Sequence, residues 1–281
     1  MAESIARAGQ NDPRLTEEYP EGYLPLIAVA RLARGAVGGA AEALKSAIEA
    51  CSRAHDSFGV IYPRMWTEFW VVSDGAIPPP PDVAASDTSA RALVTRGLVA
   101  VARGDRAVAR RIFDALQKRP RRDLAQDRIA MLLLEARLEA MAGRPEEAVR
   151  LLRPFATPLI RQTVSLTWAH WWLADAFEQL GRPDSAATYL ERLEPVAFTF
   201  HDSGERSYVH RRLALLYAKL GRMADADRHL AATEKIWDRP DPEVRRMLDE
   251  ARAAVASARG MARPGTERPA FVRPGRPPGS R

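Results

Sequence analysis

The sequence predicts an all-α protein, a right-handed superhelix of stacked helical hairpins that ends in a disordered tail. The first observation is a pattern that occurs four times: a glycine, an alanine five residues later, and a large apolar residue four further on. The copies are Gly104/Ala109/Phe113, Gly143/Ala148/Leu152, Gly181/Ala186/Leu190 and Gly221/Ala226/Leu230. The second is the spacing of the glycines, 39, 38 and 40 residues, a period that belongs to stacked helix pairs. The third is apolar periodicity near 3.6 on both sides of each glycine.

Taken in chain order, residues 1–20 read as a flexible start. Asn11, Asp12, Pro13, Glu17 and Glu18 stand where a secretory signal would need an apolar run. Residues 21–77 read as an N-terminal helical region. A hairpin is expected around Gly38 and Gly39, between helices at 23–34 and 40–55. The aromatic segment 62–72 follows, with Trp66 and Trp70 four apart and so on one helical face. Its aromatics read as a plug for the open end of the stack; the alternative is an exposed recognition site. Residues 78–89 read as a proline-rich spacer, with a proline-recognition motif as the remote alternative.

Residues 90–258 read as four hairpins and a capping helix. The first helices are expected at 90–103, 127–142, 165–180 and 207–220, and their partners at 106–118, 145–153, 183–193 and 224–237. Each glycine closes a helix in the left-handed conformation, and Pro145 and Pro183 open the next, where a missing N–H costs nothing. Asp105 is available as an N-cap for the second helix of the first hairpin. A last helix at 242–258, with Asp241 as a possible cap, supplies the polar outer face that a terminal repeat requires.

The net charge of +6 sits in the tail. Residues 259–281 hold six arginines (259, 263, 268, 273, 276 and 281) against Glu267, a net of +5. About +1 is left for residues 1–258, too little for a basic face by composition alone. The tail is rich in proline and glycine and is expected to be disordered, as a solubilising end or as a loose electrostatic arm for acidic surfaces or RNA. Hydrophobic residues at 46% and charged residues at 28% argue against disorder of the body. One cysteine, Cys51, excludes an internal disulfide framework and fits a reducing, cytoplasmic setting. The most apolar stretch, 24–44, carries Arg31, Arg34 and Glu42 and does not suit a bilayer.

Residues 90–258 resemble tetratricopeptide repeats. The third copy carries Leu173-Ala174, Phe177, Gly181, Ala186 and Leu190, and the fourth Leu213-Ala214, Tyr217, Gly221, Ala226 and Leu230. In the first two copies Arg96-Gly97 and Glu135-Ala136 fill the Leu-small slots, and Ala100 and Glu139 stand at the aromatic position. The Gly-Arg-Pro-acid turns are similar to helical-repeat regions of bacterial regulators and receptor-like kinases and cyclases, which leaves open whether the chain belongs to a longer protein of that kind. The resemblance implies a concave groove lined by the first helices. Carried across, its groove positions are Arg137, Trp168, Trp171, Asp175, Glu178, Tyr208, Arg211 and Lys219, aromatic anchors among charges of both signs. Of the cluster Trp168, Trp171 and Trp172, at least one is expected to face the groove.

Chemistry finds little purchase. His55, His170, His201, His210 and His229 show no metal-ligand spacing, and Gly35, Gly38 and Gly39 lack the lysine and hydroxyl of a phosphate loop. Ser203, near His201 and His210, reads as turn chemistry or a helix start rather than a nucleophile. The expected function is a non-catalytic scaffold, with no cofactor or metal, that binds a protein or peptide partner. The competing reading is a nucleic-acid- or transcription-associated regulator in which the repeats assemble and the arginine tail grips.

Overall fold

A computed structural model describes residues 24–53, 61–73, 76–79, 88–120, 128–156, 165–193 and 202–261. The predicted tail beyond Met261, the predicted flexible start and most of the proline-rich spacer lie outside the described residues. Every regular element among the described residues is a helix; there are no strands. The helices are α1 (Leu24–Ala33), α2 (Val37–Arg53), α3 (Ile61–Val72), α4 (Ala90–Ala102), α5 (Arg106–Gln117), α6 (Arg128–Met141), α7 (Pro145–Leu152), α8 (Ser165–Gln179), α9 (Pro183–Glu191), α10 (Asp202–Lys219), α11 (Met223–Ile236) and α12 (Pro242–Met261). Most expected boundaries in 90–258 fall within two residues of these. The clear exception is α10, which starts five residues early and takes Ser203 into its first turn.

One turn repeats through the molecule. Gly143 donates its N–H to the Ala140 carbonyl at 3.0 Å and Arg144 to the Glu139 carbonyl at 3.0 Å. That pair of bonds is a Schellman closure, which satisfies carbonyls the helix end would otherwise orphan. The same pairs recur at Gly104, Gly181 and Gly221. All four glycines have φ between 67° and 78°, and a side-chain methyl at any of them would meet nothing within 4 Å, so conformation rather than space demands glycine. A fifth copy closes α1 at Gly35, with φ 81°. The N-terminal hairpin therefore turns at Gly35; Gly38 and Gly39, expected to form its turn, lie inside α2. Gly39 is crowded by its neighbour: its carbonyl accepts from Arg31 Nη1 at 2.9 Å, close under the arginine stem.

Successive hairpins stack through small residues on their first helices. Ala136, Ala174 and Ala214 are fully buried, and a methyl on Gly97 would meet Leu134 Cδ2 at 2.7 Å. The second helices contribute Ala109, Ala148, Ala186 and Ala226, all buried. Asp105 caps α5 through Oδ1 to the Val108 N–H at 3.0 Å, as expected, and Ser89 caps α4.

Within hairpins three and four the interior is aromatic and repeats at 40 residues. Tyr189 stacks on Phe177 with ring centroids 5.3 Å apart, as His229 stacks on Tyr217 at 5.5 Å. His170 leans on Tyr189 as His210 leans on His229. The two buried histidines of hairpin four also meet Nδ1 to Nδ1 at 2.8 Å, so one ring donates and the other accepts. These histidines are core residues.

The N-terminal unit joins the two ends of the arc. The first helices α4, α6 and α8 pack in turn, and α10 packs on α9 and reaches α8 through Arg212; α1 then packs against α10, and α3 against α2, α4 and α10. Ile27, Val29 and Leu32 of α1 are buried, as are Trp66 and Phe69 of α3. Polar clasps finish the closure. Arg34 pairs with Asp238 through both nitrogens, at 2.8 and 2.6 Å. Asp241, expected to cap α12, turns its carboxylate to the Gly38 N–H at the start of α2 (2.8 Å), and its own N–H donates to the Gly35 carbonyl (2.9 Å).

Gly143→Ala is expected to cost about 1–2 kcal/mol, the penalty for placing an L-residue in the left-handed region. Chemical denaturation will show a lower midpoint at unchanged slope; an unshifted midpoint would mean that the turn relaxes.

Candidate partner groove

The first helices present their concave face to a cavity of about 560 Å³. Its wall is built largely by α8, which supplies Trp171, Trp172, Asp175, Glu178 and Gln179. The spacings 171, 175 and 178 fall on one helical face. Arg137 enters from α6 and Arg212 from α10, while Ala102 of α4 and Trp70 and Val71 of α3 close the far side.

Charge organises this face. Asp175 accepts from Arg137 Nη1 at 3.0 Å through one oxygen and from Arg212 Nη2 at 2.5 Å through the other. Glu178 accepts from Arg212 Nη2 at 2.7 Å and Nε at 3.2 Å, and from Lys219 Nζ at 3.3 Å. The network thus ties three successive first helices together. Both guanidiniums also lie over aromatic rings, Arg212 at 4.6 Å from the Trp171 centroid and Arg137 at 5.7 Å from that of Trp172, a favourable use of the ring face.

Burial alone would lower the proton affinity of Arg212, whose side chain is 14% exposed, yet Asp175 and Glu178 outweigh it and hold the guanidinium above its ordinary value. Burial would likewise raise Glu178, but Arg212 and Lys219 hold it below the usual carboxylate range. The native state therefore favours ionised Glu178. Its contribution is complete above the unfolded value near 4.5 and is lost as pH falls through the lower folded value.

Of the residues named from the sequence, Arg137, Trp171, Asp175 and Glu178 line this cavity, and Lys219 pairs with Glu178 at its rim. Trp171 and Trp172 are both almost fully buried, so the aromatic wall is edged and capped by arginine rather than open. The Trp168 side chain lies outside the described residues.

Tyr208 and Arg211 do not reach the groove. Tyr208 is 1% exposed and packs edge-on against Trp237 at 5.1 Å. Arg211 turns to α12, donating to the Met247 carbonyl at 3.3 Å and lying 3.8 Å from Glu250. One residue on a helix is about 100° of rotation, so the groove position falls to Arg212, which sequence reasoning passed over. Its register was available, since Arg212 stands 40 residues after Trp172 as His210 stands after His170. Val71 and Gln179 were missed, and Trp70, read with Trp66 as a plug or alternatively a recognition site, was not assigned to the groove. Trp70 and Val71 belong to α3, outside the repeat register, and no spacing rule reaches them.

A tetratricopeptide-repeat family model matches residues 168–194, the α8–α9 hairpin that forms most of this wall. The chain is a tetratricopeptide-like helical-repeat protein. No curated protein and no solved structure matches it. Among the described residues, no group of three or more His, Cys, Asp or Glu side chains could hold a metal ion, and no helix is long and apolar enough to cross a membrane.

Arg212→Ala is expected to cost about 1–3 kcal/mol, because it removes the cation shared by two half-buried carboxylates and leaves each with one remaining partner. Glu178→Gln is expected to flatten the loss of stability below pH 4.5. Thermal melts from pH 3 to 7 read both, and identical acid profiles for wild type and Glu178→Gln would remove Glu178 from the network.

Proposed function

We propose that this tetratricopeptide-like protein is a non-catalytic scaffold that docks a segment of a partner protein into the cavity of its concave face. The observation that supports it is the position of that cavity: it lies on the first-helix face of the hairpin that matches the family, where such repeats present their binding surface. The polar wall is pre-set by Asp175 and Glu178, which fix both arginines in place, so little side-chain entropy is lost when a partner docks.

Charges of both signs beside tryptophan suit a peptide carrying polar and apolar side chains together. The insertion of α3 limits the length of that segment. Trp70 and Val71 occupy one side of the trough, so a short stretch fits better than a long helix laid through the arc. The buried position of Cys51 in α2 is compatible with a reducing, cytoplasmic setting.

Gln179 is exposed at the cavity and takes no part in the charge network. Gln179→Trp fills the space without touching the core. Proteins captured from the native cell by wild-type chain should be recovered at least fivefold less by this variant, a change on the order of 1 kcal/mol, at an unchanged melting temperature. An unaltered capture profile would refute docking in this cavity.

A further inference from the structure

The charge of the folded body is divided very unevenly among its hairpins. Residues 90–120, the α4–α5 hairpin, hold eight arginines and lysines against Asp105 and Asp114, a net of +6. The same tally gives +1 for 128–156, −2 for 165–193 and +2 for 202–236. The near-neutral total of the body therefore hides one strongly cationic unit.

The second helix of that unit is covered on one side. Helix α5 packs on α4 and α6; its outward face carries Arg111 and Lys118, two turns apart, and Arg106 is exposed at the helix start, about 120–140° round from them. The acids nearby are engaged or few. The Asp105 carboxylate is taken by its capping bond to Val108. Glu135 and Glu139 of α6 face Arg110, which lies 3.6 Å from Glu139 and is set aside from the patch. Asp114 remains, between Arg111 and Lys118. From residue 106 to residue 118 the helix rises about 18 Å, which spreads the three exposed cations along and partly around it, with Arg111 and Lys118 in line.

We propose that the outer face of α5 binds the sugar-phosphate backbone of double-stranded nucleic acid. Two features select this partner. Among the described residues the large hydrophobic side chain left exposed is Met261, at the far end of the chain. A protein partner would thus find no apolar anchor on α5, and protein interfaces depend on such anchors. Without an exposed aromatic the face also cannot stack unpaired bases. A duplex backbone needs neither, since its affinity comes from counterion release by the cations alone, independent of sequence. Arginine suits it further through paired N–H contacts to phosphate oxygens.

The test uses full-length chain and generic 20-base-pair DNA and RNA duplexes, with poly-glutamate as the acidic-protein control. The triple variant Arg106→Glu, Arg111→Glu, Lys118→Glu should lose at least tenfold in affinity for both duplexes at low salt. Its log–log salt dependence should be shallower by roughly 2–3, about 0.9 per phosphate contact. Asp114→Asn should bind both duplexes more tightly, and it serves as the readout if the triple variant misfolds. Full-length chain with Arg263, Arg268, Arg273, Arg276 and Arg281 changed to glutamine should keep its sensitivity to the triple reversal. The proposal is overturned by unchanged affinity and salt slope in the triple variant, by a loss confined to the tail variant, or by tighter binding of poly-glutamate than of duplex.

Discussion

Close approach of the first helices is the constraint from which the rest of the architecture follows. Neighbouring helices approach closely only where a small residue faces a bulky one, as Gly97 faces Leu134, and Ala136, Ala174 and Ala214 are the buried small residues at the equivalent places. Because the contact recurs at nearly constant spacing, each hairpin is displaced from the last by the same step. An arc results, and an arc has an inner wall. Residues on the inner wall are therefore chosen by register, which is how Arg137, Asp175 and Arg212 come from three hairpins to one network.

An open arc would leave the apolar flank of its last hairpin uncovered. Here α1 covers α10, and α3 reaches from α2 back to α4 and α10, so both ends of the stack are buried by one N-terminal unit. The closure is mostly apolar, through Ile27, Leu32 and Phe69, and is pinned by the Arg34–Asp238 and Gly38–Asp241 contacts. Exposed ion pairs of this kind contribute little on their own. They orient the hairpin, while burial holds it. The same insertion gives the concave face its present form, a bounded cavity with α3 on one side.

Electrostatics acts on two levels in this molecule. Inside the groove, opposite charges neutralise each other at hydrogen-bond distance and stiffen the wall, with desolvation offset by two carboxylates facing two guanidiniums. On the outer side, like charges concentrate on α5 with few acids to balance them. A whole-chain sum averages these two regions away, which is why composition located the basicity in the tail alone.

Most of the architecture was legible because its signals are local. A glycine that must take positive φ, a proline at a first helical turn, and a capping aspartate are each decided within a few residues, and their repetition at 38–40 residues marked all four hairpins and the family. Long-range geometry decided what local signals could not. Whether residue 211 or 212 looks inward depends on what packs on every side of α10, and contact with α1 and α12 turned Tyr208 and Arg211 away from the groove. The reach of Asp241 to α2 and the entry of Trp70 into the cavity depend on residues some thirty to two hundred positions apart meeting in space. Sequence by itself thus determined the repeating unit, because backbone conformation is a local property. Only the tertiary structure determined which faces remain open, because burial belongs to the assembled whole.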